Sequence, residues 1–77
     1  MDTQTTREKL LSYWADGSDM HKASSDDVLY LSLVNVVGLT GASAEEVVLA
    51  RGDEWFELGC TGADDERMAG TLISYVA

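Results

Sequence analysis

A chain of 77 residues with 45% hydrophobic residues and no proline has room for one small domain with a thin core, and not for two. Fourteen acids against five bases leave a net charge of −9, which repels nucleic acid and anionic membranes and draws the chain toward basic surfaces. One cysteine, Cys60, excludes an internal disulfide and a multi-cysteine metal site. The polar start MDTQTTREKL and the longest apolar stretch, VLYLSLVNVVGL, supply neither an export signal nor the roughly 20 apolar residues of a membrane span, so the cytoplasm is the expected compartment.

In the first segment Thr5 and Glu8 form a capping box, each side chain placed to accept a first-turn N–H. Arg7, Leu10, Leu11 and Trp14 then recur at helical spacing, and Gly17 stands where a left-handed residue ends a helix. The polar stretch SDMHKASS connects to the second segment. There Ser24 or Ser25 is placed to cap, Asp26 and Asp27 lie in a first turn where the helix dipole favours carboxylates, and Gly38 is placed to stop the element. The β-branched Val28, Val34, Val36 and Val37 fit a strand as well, but the start and stop signals agree on a helix. Being apolar nearly all round, it is expected at the centre of the molecule.

The third segment supports two readings. Ser43 and Glu46 form a capping box for a helix over 44–51. Against it, Gly52-Asp53 reads as a two-residue turn that pairs Arg51 with Glu54, Leu49 with Phe56 and Val47 with Leu58, leaving Val48, Ala50, Trp55 and Glu57 on the other face. The hairpin is the favoured reading, because register, turn and residue type agree at once. In the last segment Thr61 is placed as a cap, Asp64, Asp65 and Glu66 occupy the first turn, and Met68, Ala69, Leu72, Ile73 and Val76 form the apolar stripe of a helix that runs to the C-terminus. Gly70 within it suggests a close contact. The expected fold is α+β, a small single domain of three helices and one β-hairpin, with an all-α four-helix bundle as the alternative.

Catalytic chemistry finds few candidates. His21 stands alone in a polar connector, Cys60 reads as a partly buried structural thiol with no histidine nearby, and Asp16, Asp19 and His21 do not match a calcium loop. No catalytic residue, metal ligand or cofactor is expected, and the chain is read as no enzyme. The tripeptide Arg51-Gly52-Asp53 is explained by the turn, and GCTG lacks the lysine and spacing of a phosphate-binding loop.

The acids are the outlying feature. Residues 45–67 hold eight carboxylates and two arginines. Those at helix starts have the dipole to explain them, whereas Glu45, Glu46, Asp53, Glu54 and Glu57 have no such dipole, apart from Glu45 and Glu46 on the helical reading, and only Arg51 is close enough to offset their repulsion. A basic partner is the expected source of the missing charge. A lysine- and arginine-lined channel built for the dense phosphates of a duplex accepts a rigid array of carboxylates instead, and an exposed aromatic such as Trp55 anchors the contact. The expected binding set is Glu45, Glu46, Asp53, Glu54, Trp55, Glu57, Asp64, Asp65 and Glu66.

In overall character, and in the acid-dense EEVVLARGDEWFELG and TGADDER, the chain resembles the small acidic phage-encoded anti-CRISPR proteins that occupy the DNA-binding surface of a type I surveillance complex, here type I-C. That resemblance implies a monomer in the cytoplasm of an infected bacterium that blocks target-DNA recognition by mimicking DNA charge. It contacts neither nucleic acid nor membrane itself. Acyl carrier proteins are similar in length and acidity, but their Asp-Ser-Leu-type site is replaced here by SSDDVLYL, with no aspartate before Ser25. A third alternative is a regulatory interaction module that pairs through its apolar second segment.

Overall fold

The computed structural model describes residues 2–16 and 25–77, and the elements within them are all helical. Helix α1 spans Thr3–Asp16 and α2 spans Ser25–Ser32, continued by one wider turn over Leu33–Val37. Helix α3 spans Gly41–Cys60 and α4 spans Asp65–Val76. Helix α2 packs chiefly on α3, and α1 on α4.

The caps differ in part from those expected. Asp2, not Thr5, opens α1: its carboxylate accepts from the backbone N–H groups of Gln4 at 3.1 Å and Thr5 at 3.4 Å and from the Thr5 hydroxyl at 2.8 Å. That hydroxyl contact, above all, holds the Asp2 carboxyl below its ordinary pKa. At α4 the cap is Asp64, which accepts from the Arg67 N–H at 2.8 Å. Thr61 instead closes α3, its hydroxyl donating to the Leu58 carbonyl at 2.8 Å. The second segment is helical from Ser25, with Asp26 and Asp27 in its first turn, and Gly38 is its stop as expected. Gly38 ends it at φ 88°, a left-handed value that favours glycine, and donates its N–H to the Leu33 carbonyl. The β-branched Val34, Val36 and Val37, stiff at χ1 and crowded in a regular turn, fall on the wider one.

The expected β-hairpin is overturned. No strand occurs among the described residues, and residues 41–60 form one uninterrupted helix whose cap is Thr40, accepting from the Ser43 N–H at 3.2 Å. Gly52 is no turn residue. It lies buried in mid-helix, where a β-carbon would stand 2.9 Å from Oδ1 of Asp26, so the missing side chain lets the start of α2 lie close against α3. The Arg51-Gly52-Asp53 tripeptide therefore sits inside a helix and not in a turn.

The core draws on all four helices: Leu10 and Trp14 from α1, Leu29 from α2 with Leu33 beyond it, Ala44 and Trp55 from α3, and Ala69, Leu72 and Ile73 from α4. A buried polar cross-link joins the first two elements, the Trp14 indole N–H donating to the Ser32 hydroxyl at 2.8 Å. An aromatic chain runs through the centre, with ring centroids 6.2 Å apart for Trp14 and Trp55 and 6.4 Å for Trp55 and Tyr75. The contact at Gly70 is made by the Arg7 side chain of α1, whose Nη2 would lie 3.4 Å from a β-carbon there. His21, Asp19, Gly17 and Ser24 lie outside the described residues.

Candidate functional site

Helix α3 settles where the carboxylates point. At 3.6 residues per turn, Ala44, Val47, Val48, Gly52 and Trp55 fall on the side turned to the other helices, and each is buried or half-buried. Glu45, Glu46, Asp53 and Glu57 fall on the opposite side within an arc of about 120°, and all four are exposed. Among the described residues none of these four has an ion-pair partner.

Arg51 does not offset them. Its guanidinium turns toward α4, 5.6 Å from the centroid of the Tyr75 ring, and pairs with Glu54 at 3.3 Å. Glu54 is thereby separated from the other α3 acids, as the one with a basic partner. Beside that pair, burial pushes the Tyr75 hydroxyl pKa upward; Glu54 adds to the shift and Arg51 opposes it. The Tyr75 hydroxyl is also enclosed without a hydrogen-bond partner among the described residues.

The remaining expected residues divide by what they do locally. Asp64 caps α4, and Asp65 and Glu66 occupy its first turn, so the dipole accounts for all three. Trp55 is the clear correction. It is 1% exposed and stands between Trp14 and Tyr75, so it anchors the core and is closed to a partner. Cys60, expected to be partly buried, is exposed at the end of α3.

Two residues that the hairpin register had turned inward stand outside instead. Leu49 is 87% and Phe56 54% exposed, seven residues apart on the same side of α3 as the four acids. The signal was present in the sequence: extending the helical reading through Gly52 puts Ala44, Val48 and Trp55 on one stripe and Leu49 with Phe56 on the other. Where α3 meets α2, an open groove of about 410 Å³ is lined by Asp26, Asp27, Tyr30, Glu45, Val48 and Leu49, which continues the acidic surface onto the neighbouring helix.

Ser25 is the first residue of α2, followed by Asp26 and Asp27. Among the described residues no group of three or more His, Cys, Asp or Glu side chains is placed to hold a metal ion, and no helix is long and apolar enough to cross a membrane. The arrangement offers a rigid, negatively charged helix face with two apolar side chains at its centre. No protein-family model, curated protein or solved structure matches this chain.

Proposed function

We propose that this protein is a non-catalytic inhibitor that binds a basic, DNA-binding protein surface by presenting carboxylates in place of phosphates. The observation that carries the reading is the set Glu45, Glu46, Asp53 and Glu57, exposed on one side of a single helix and without basic partners among the described residues.

The charge density fits. From Glu45 to Glu57 the helix rises about 18 Å, and one strand of a duplex places about five phosphates along the same distance. Helix α3 carries five carboxylates there, Glu45, Glu46, Asp53, Glu54 and Glu57, four of them facing outward. A channel lined with lysine and arginine meets a field comparable to that of one strand of the duplex, about half the duplex's own charge, and the helix holds it without the ordering cost of a flexible acidic tail.

The helix dipole supports the same reading. Glu57 lies in the last turn of α3, where a carboxylate is unfavourable, and Asp53 and Glu57 are a like-charge i,i+4 pair, which costs about 0.2–0.5 kcal/mol. Charge placed against local stability is expected where binding, not folding, uses it.

The target is proposed to be the DNA-binding surface of a type I CRISPR surveillance complex, type I-C in the first instance, inside the bacterial cell. That choice follows the likeness in size and acidity to phage-encoded inhibitors of such complexes. It is tested by competition: purified type I-C complex, labelled target duplex and rising amounts of this protein at low and high salt. Displacement of the duplex, weaker at high salt, supports the reading. A duplex that stays bound at every salt concentration contradicts it.

A further inference from the structure

We propose that the outward face of α3 docks onto its protein partner through an apolar centre, Leu49 and Phe56, and that the partner's matching surface is an apolar recess ringed by lysine and arginine. This rests on the reading of the protein as an acidic binder and names the surface and the partner chemistry.

The placement of side-chain size on α3 is the first observation. Its inward stripe carries Trp55, Val47 and Val48 beside the small Ala44 and Gly52, yet two further large apolar residues, Leu49 and Phe56, stand outward at 87% and 54% exposure. A helix selected only to fold places its large apolar residues inward. The second observation is register. Leu49 and Phe56 are two turns apart, about 10.5 Å along the axis, and can enter one recess together. The carboxylates of Glu45 and Asp53 stand one turn to either side of Leu49, with Glu46 and Glu57 beside them, so an apolar centre is bordered by negative charge.

This anatomy, anchors surrounded by a polar rim, is that of a protein-binding patch. The groove between α2 and α3 extends it. Tyr30, Val48 and Leu49 supply an apolar floor and Asp26 and Glu45 a carboxylate edge, which suits a long cationic side chain that lays its stem on apolar surface and its charge among acids.

Charge selects the occupant. A second copy of this chain would bring the same carboxylates against these, at a net charge of −9 on each molecule, and phosphate-bearing partners are repelled for the same reason. A basic protein surface with an apolar centre satisfies both parts of the face.

The test uses the full chain and two synthetic probes of equal positive charge, an amphipathic lysine–leucine helical peptide and a polylysine peptide. Binding is followed by amide chemical shifts at low and at physiological salt. The amphipathic probe is expected to bind at least about tenfold more tightly at physiological salt, with shifts centred on residues 45–57. That preference is expected to vanish in the double variant Leu49→Ser/Phe56→Ser, whose unchanged helicity and thermal midpoint would show an intact fold. Equal binding of the two probes, shifts centred elsewhere, or self-association of the wild type that the double variant abolishes would overturn the proposal. A protein that passes this test but leaves the duplex bound to the surveillance complex has the docking face and a different target, so the two readings fail separately.

Discussion

Ser32 and Trp14 form the polar contact on which the centre of the molecule depends. The indole N–H is satisfied by one hydroxyl, at 2.8 Å and out of solvent, so Ser32→Ala leaves a buried donor with no acceptor. The expected loss is about 1–3 kcal/mol, read from urea denaturation midpoints, and a loss well below that range would mean that water reaches the indole. Tyr75 presents the opposite case, a hydroxyl enclosed without a partner. Tyr75→Phe keeps the edge contact with Trp55 and removes the unsatisfied group, so at neutral pH it is expected to leave stability unchanged or raise it. The pH dependence follows from the upward shift of the Tyr75 hydroxyl. The unfolded chain releases this proton near pH 10 while the folded chain still holds it, so the stabilisation is full below about pH 10 and is lost as the pH rises through the folded value. The variant should therefore lose less stability than the wild type between neutral pH and about pH 10.5. Parallel losses in the two proteins would remove Tyr75 from the account.

At the scale of the element, α3 separates what folds the protein from what it offers to others. Glu57→Lys removes a like-charge i,i+4 repulsion with Asp53 and places a cation in the last turn, so it should stabilise the fold by about 0.5 kcal/mol and at the same time weaken binding to a basic partner. A gain in thermal midpoint joined to a loss of affinity is the expected pair of results. A variant that gains in both would show that this carboxylate takes no part in binding. Helix α3 is also where the sequence was hardest to read. Both the capping signature at Ser43–Glu46 and a plausible two-residue turn at Gly52-Asp53 were legible, and local chemistry could not choose between them. The choice was made by tertiary packing, because Gly52 meets Asp26 of a different helix, a contact that no pattern within residues 41–60 encodes. The apolar stripe of α4 and the first-turn acids of α2 fall where the sequence pattern puts them, whereas the caps expected at Thr5 and Thr61 are supplied by Asp2 and Asp64. The acids of the candidate face were legible by type and number. Their orientation was legible only on the helical reading, because a hairpin and a helix turn Leu49, Trp55 and Phe56 to different sides.

The whole molecule measures 26 × 25 × 20 Å and carries a net charge of −9. At that size the Debye length at physiological salt, about 8 Å, is shorter than the molecule, so a partner senses the nearest face more than the total charge. On the proposed function the outward side of α3 is then the decisive surface, and its acids are expected to act on a partner as a summed field in which single removals cost little. Reversing several together is the informative change. The most direct measurement is the association and dissociation kinetics of wild type and of the triple variant Glu46→Lys/Asp53→Lys/Glu57→Lys on immobilised type I-C surveillance complex, across a series of salt concentrations, with circular dichroism to verify the fold. The wild type is expected to bind with an association rate that falls as salt rises, and the correctly folded triple variant is expected not to bind. A folded triple variant that binds as the wild type does would contradict the proposed function.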